Sequence, residues 1–241
     1  MKNLLLIVLL CTVFYVACKK TNNVSANVLV YNASWAYSGI TLALNGNLLT
    51  TQPIAQGGSS GTADSPYIKI PAGTNAVTVN NGSTVLLEKN IYASAAGGNS
   101  IIFFDSSTQQ APPRVLQLTD DLSLPDTFRL KYRVLYLVPD TAVKADILLV
   151  NGTQDSVPIV TNGVYAGSAL AAGAVQTFNV LSYHGENYSI KVKKTGTNEL
   201  YTTLTNYPFA VKGIYTIIFS GLPGGNASSG LKLSVLRHPV Q

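Results

Sequence analysis

Apolar and polar positions alternate in short runs along most of the chain, and turn residues separate the runs. Arg133 to Gly152 shows the pattern best. There Val134 to Val138 predicts a strand, Pro139-Asp140 a polar corner, Asp146 to Val150 a second strand and Asn151-Gly152 a tight turn. A weaker copy lies roughly a hundred residues earlier, the size of one small β domain. In that copy Val28 to Ser34 leads to Ile40 to Leu44 and then to Asn45-Gly46, a pair that accepts the positive φ a two-residue hairpin requires. No apolar run keeps a helical period beyond one turn, so the expected class is all-β.

The two copies share their order of elements. Tyr67 to Ile70 corresponds to Thr177 to Leu181, Ala76 to Val79 to Tyr188 to Val192, Asn99 to Phe103 to Tyr215 to Phe219, and Val115 to Leu118 to Leu231 to Leu236. The reading is a tandem repeat of two antiparallel β-sandwiches, residues 27–124 and 125–241. Thr119 to Thr127 joins them. A joint of that length, containing Pro125, predicts limited hinge motion. Ile101 to Phe104 and Ile217 to Phe219 are apolar at successive positions, which predicts strands covered on both faces.

The amino terminus sets the expected address. Met1-Lys2-Asn3 precedes an apolar run from Leu4 to Ala17 that ends at Cys18. About fourteen residues span roughly 21 Å as a helix, short of the roughly 30 Å bilayer core, which suits a secretory leader better than a membrane span. Tyr15-Val16-Ala17-Cys18 resembles a bacterial lipobox, with Tyr15 where Leu is usual. Residues 1–17 are then a signal peptide, Cys18 is lipidated, and residues 18–26 form a polar tether that includes Lys19 and Lys20. The alternatives are a plain secreted chain or a single anchor helix. Lipid chains contribute about 0.8 kcal/mol per buried methylene, so a multiply acylated Cys18 would not leave the membrane. Lys19 in place of Asp points to the outer membrane of a Gram-negative envelope, with the leaflet open. Cys11 leaves with the leader, and Cys18 cannot form a disulfide within the chain.

Composition removes several function classes. The chain of 241 residues carries a formal charge of +5 with only 11% charged residues. Its basic residues fall in ones and twos, without the stripe that follows a phosphate backbone, so nucleic acid is not an expected partner. The two histidines are His184 and His238. Ser182 and His184 share a strand face but lack an orienting acid, which argues against a hydrolase and for a non-enzymatic protein. The mature chain lacks the ligands of a zinc site, and the glycine runs lack the Lys and helix of a phosphate cradle. No cofactor is expected.

Asn32-Ala33-Ser34, Val138-Pro139-Asp140-Thr141-Ala142, the Pro71-Ala72-Gly73-Thr74 turn and Val115 to Pro125 resemble the domain-of-unknown-function family DUF 4397. The resemblance covers nearly all the mature chain and implies two tandem Ig-like sandwiches on a bacterial lipoprotein. It implies no catalytic residues. Two candidate sites come from the residues themselves. Asp120, Asp121 and Asp126 at the joint are candidate calcium ligands or hinge residues. Trp35 and Tyr37, with Tyr31 or Tyr92 nearby, are a candidate aromatic surface for a glycan or an envelope protein partner; the plainer reading is that Trp35 plugs a core. The expected role is a lipid-anchored display or assembly protein. The alternative is a glycan-binding accessory lipoprotein of a polysaccharide-uptake or degradation system.

Overall fold

The computed structural model describes residues 24–62, 65–106, 108–109, 111–152, 156–163, 165, 177–183 and 185–239. The leader, Cys18 and His184 lie outside the described residues. The chain is all-β, and no helix occurs among the described residues. The first half runs β1 (Ser25–Asn32), β2 (Gly39–Leu44), β3 (Asn47–Leu48), β4 (Ile54–Ala55), β5 (Tyr67–Pro71), β6 (Gly73–Asn81), β7 (Thr84–Ala93), β8 (Gly98–Phe104) and β9 (Arg114–Asp120). The second half runs β10 (Arg129–Tyr136), β11 (Ala145–Asn151), β12 (Ser156–Gly163), β13 (Asn179–Ser182), β14 (Tyr188–Lys194), β15 (Leu200–Tyr207), β16 (Ile214–Ser220) and β17 (Lys232–His238).

The strands make four sheets. The order β5-β1-β8-β9 in the first half recurs as β13-β10-β16-β17 in the second, and in both the first and third elements named pair antiparallel to their neighbours except for one central parallel pair, β1 with β8 and β10 with β16. The other two sheets are β3-β2-β6-β7, to which β4 adds, and β12-β11-β14-β15.

Three apolar layers stack these sheets. One core, with Val28, Val30, Ile40, Leu42, Val79 and Phe103, joins β1 and β8 to β2 and β6; a second, with Ile147, Ile190, Tyr215, Ile217 and Phe219, does the same in the second half. The third lies between the halves. Leu29, Tyr31, Ile102, Phe104, Leu116 and Leu118 from the first half meet Leu135, Leu137 and Ile218 from the second. The sheets containing β1 and β10 are therefore the two inner layers of four. This explains the unbroken apolar runs: every residue of β8 and of β16 is buried, because alternate side chains enter different cores.

Local chemistry sets the turns. Asn45 and Gly46 have φ of 49° and 80° and close a two-residue hairpin between Leu44 and Asn47, as their sequence predicts. Asn151-Gly152 behaves differently: β11 runs through Asn151 and Val150 pairs with Ser156, so the pair does not close a two-residue hairpin. The strand expected at Val134 begins earlier, at Arg129, directly after the joint.

Candidate functional site

Charged groups enter the inter-sheet layer at one place. Arg133 on β10 is 1% exposed, although its neighbours Val134 and Leu135 mark a plain apolar strand. Burying an isolated charge is costly unless it is paired and hydrogen-bonded, so its partners decide whether the site can exist. Its Nη2 lies 2.6 Å from Oδ1 of Asp120 at the end of β9, and both side chains are sealed from solvent. Oδ1 makes no aligned hydrogen bond; the guanidinium charge is what compensates it. The other carboxylate oxygen accepts hydrogen bonds from Tyr67 at 2.6 Å and Ser100 at 2.7 Å.

The remaining groups close a circuit whose donors can be assigned one by one. Arg133 Nε donates to Thr216 Oγ1 at 2.8 Å, and Nη2 donates to Ser100 Oγ at 3.2 Å. Thr216 Oγ1 lies 2.7 Å from Nε2 of His238, and Tyr67 Oη lies 2.7 Å from Nδ1. Tyr67 gives its one proton to Asp120, so His238 Nδ1 must be the donor to Tyr67. Thr216 accepts from Arg133 and has its own hydroxyl proton to give to Nε2. A neutral imidazole satisfies both ends. Burial pushes the pKa of His238 down to about 4; Arg133 adds to the fall and Asp120 opposes it. Burial, followed by the charge of Asp120, raises the Tyr67 phenol well above its usual value. Phe178 covers the site, with Arg133 Cζ 4.6 Å from its ring centroid and His238 meeting it edge-on at 5.6 Å. Gly98 admits Tyr67, since a Cβ there would stand 2.8 Å from the Tyr67 ring.

The circuit joins matching positions of the two halves. Gly98 pairs with Asp120 as Ile214 pairs with His238, and Leu29 pairs with Ser100 as Arg133 pairs with Thr216. Asp120 and His238 are thus equivalent, as are Ser100 and Thr216. The halves meet through corresponding faces, the arrangement of a self-complementary dimer interface held in one chain.

At the joint, each of the three candidate calcium or hinge carboxylates faces a cation of its own. Asp120 is spent on Arg133, Asp121 on Lys131 at 2.7 Å and Asp126 on Arg129 at 3.4 Å, so the three carboxylates converge on nothing. Lys131 Nζ also donates to the Ser123 carbonyl and hydroxyl, while the hydrogen bonds that Asp121 accepts from Lys131 and from the Ser123 hydroxyl hold its carboxyl down at about 2. No group of metal-ligating side chains occurs among the described residues. The joint has an apolar layer on one side and a buried ion pair beside it.

The residues of the candidate aromatic surface differ in burial. Tyr37 is 6% exposed, packs in the first core and donates its hydroxyl to the Ala111 carbonyl at 3.2 Å. Tyr31 is 1% exposed in the layer between the halves. Trp35 is half-buried, and its indole N–H is buried without a hydrogen-bond partner. The corner is built around buried Asp105, which accepts from Ser34 Oγ at 2.7 Å and from the Trp35 amide at 2.5 Å; burial raises its pKa. Tyr92 is 64% exposed, but its backbone amide and carbonyl are held by the Gln117 side chain at another edge. Ser182 is exposed at the end of β13.

The chain matches no protein-family model and no curated protein. Among solved structures it is similar to a proposed adhesin from Bacteroides ovatus, with 8% identity and a TM-score of 0.22 over 89% of this chain and 94% of that one. It is also similar to proposed cell adhesion proteins from Bacteroides eggerthii (12% identity, TM-score 0.29, 91% and 98% covered) and Bacteroides fragilis (11%, 0.24, 89% and 98%). These likenesses are too slight to assign the chain a role.

Repeat comparison held a signal for this site that strand reading alone did not use. Aligning Leu118 with Leu236 puts Asp120 opposite His238, two polar residues closing equivalent apolar strands. Arg133 carried no such mark, since a single Arg beside a strand ordinarily faces water.

Proposed function

We propose that the chain is a lipid-anchored, non-enzymatic envelope protein whose two Ig-like β-sandwich halves act as one stiff body that holds a binding or assembly surface off the membrane. The observation that carries this reading is the buried layer between the halves, with the Arg133–Asp120 pair inside it. A display scaffold loses little conformational entropy on docking when its parts are already fixed, and a fused pair of sandwiches provides that. The non-enzymatic part is supported by His238, whose two ring nitrogens are both occupied in a closed circuit. The anchor is supported by the Leu4 to Cys18 pattern. The glycan-binding alternative looks to an aromatic platform at Trp35 and Tyr37 and draws less support, since Tyr37 is buried and Trp35 half-buried.

Protease shaving of intact cells expressing the native protein or Cys18→Ala tests the proposal. A displayed lipoprotein loses both halves to the protease, and the Ala form leaves the membrane fraction. A native chain that fractionates as soluble, or an Ala form that stays membrane-bound, would overturn the anchor. Halves that survive until the outer membrane is opened would move the body to the periplasm.

A further inference from the structure

Both halves point the same end toward the amino terminus. Ser25 at the start of β1 pairs with Pro71, and Asn27, Gly98 and Asp120 lie side by side near that end. Arg129 at the start of β10 pairs with Ser182, and its carbonyl accepts from the Lys212 amide. The Asp120–Arg133 contact brings these ends together, while Tyr165 to the Asp105 carbonyl and Lys232 to Gln56 join the opposite ends. Val24, the joint of residues 121–128 and the loop of residues 208–213 therefore share one pole.

Four apolar side chains at that pole are exposed. Val24 is 53% exposed, Leu124 49%, Phe128 55% and Val211 41%. Phe128 and Lys212 hold φ of 58° and 60°, a region that is unfavourable for a bulky side chain and persists where the surroundings enforce it. Lys69 and Lys212 bring positive charge to the same pole, where Asp121 is paired with Lys131, Asp126 is paired with Arg129, and Glu186 is a further acid. Apolar side chains with basic neighbours are what an anionic lipid interface attracts.

We propose that the pole carrying Val24, Leu124, Phe128 and Val211 rests against an anionic lipid surface. The proposal builds on the anchor at Cys18: residues 19–24 reach about 20 Å even when fully extended, which keeps this pole near the headgroups. The apolar side chains then enter the interface, and the anchored body stands at a set angle on the membrane with its opposite pole, the Val85 hairpin among it, facing away.

The test uses the full chain made with its own leader and reconstituted in vesicles of phosphatidylglycerol and phosphatidylcholine that include brominated lipid. In a Trp35→Phe background, a single tryptophan is placed by Phe128→Trp or by Val85→Trp, the latter equally exposed at the far pole. The Phe128→Trp form should lose most of its fluorescence and the Val85→Trp form should keep most of its own. Equal quenching, or none at Phe128→Trp, overturns the proposal. If the Trp35→Phe background fails to fold, nitroxide on Phe128→Cys and Val85→Cys, read by lipid-phase oxygen accessibility, gives the same contrast. Mass analysis of the amino-terminal peptide reports the anchor separately. A lipidated Cys18 with an unquenched Phe128→Trp sinks the contact face alone; an unmodified Cys18 with quenching on added anionic vesicles sinks the anchor alone.

Discussion

Asp120→Asn is the most informative single substitution, because it keeps the shape of the site and removes one charge. The Arg133 guanidinium would then face an uncharged amide in a layer with 0–1% exposure on both partners. Tyr67 and Ser100 would still find an acceptor oxygen, but the amide NH₂ would meet the guanidinium donors. Removing one partner of a buried pair costs about 3–5 kcal/mol, and with a urea m-value of about 2–3 kcal/mol/M the midpoint should fall by about 1–2 M. Replacing the pair together, Asp120→Asn with Arg133→Met, should cost less than the sum of the two single changes, since neither then leaves a buried charge unmatched. Equilibrium unfolding followed by Trp35 fluorescence, which reports the first half, and by far-UV circular dichroism, which reports both, makes the measurement. A shift below about 1 kcal/mol for Asp120→Asn would be the surface value and would refute the burial of this pair.

The other expected outcomes come from the same site and its surroundings. His238 has a folded pKa of about 4 against an ordinary value near 6.5, so the unfolded chain takes up the proton first; the contribution is complete above pH 6.5 and is lost as pH falls toward 4, about 3 kcal/mol in all. Urea midpoints across that range should decline in the native chain, and a His238→Gln chain that declined just as steeply would contradict the assignment. Gly98→Ala should displace the Tyr67 ring and cost about 1–3 kcal/mol, read by thermal unfolding; a neutral result would mean the ring has room that the structure denies it. Gly46→Val forces a β-branched side chain into φ of 80° and should cost about 1–2 kcal/mol, whereas Gly152→Val, whose φ is not positive, should cost less in the same assay.

What the sequence disclosed, and what it hid, follows from the range of the forces involved. Short-range rules located Asn45-Gly46, since positive φ at adjacent residues is a local property. The doubled apolar runs at Ile101 to Phe104 and Ile217 to Phe219 announced a second covered face, because period two breaks when both faces are dry. Arg133 and Asp120 gave no such notice. They are far from the other members of their circuit in sequence, with Tyr67 and His238 171 positions apart, and only the stacking of the inner sheets brings these groups together. The pairing of the joint carboxylates was hidden for a related reason. Asp120, Asp121 and Asp126 look like a cluster along the chain, but each faces a different cation once β9 and β10 are placed. Tyr37 was hidden by its hydroxyl, which lets an aromatic belong to a core or a surface until its partner, here the Ala111 carbonyl, is known.

The central claim is that the halves are one body. Differential scanning calorimetry of the mature chain at neutral pH tests it most directly. One transition, with calorimetric and van't Hoff enthalpies equal, is the expected result, and Asp120→Asn should lower it without splitting it. Two separate transitions in the native chain, each with the enthalpy of one half, would show that the layer between the halves does not bind them and would contradict the account.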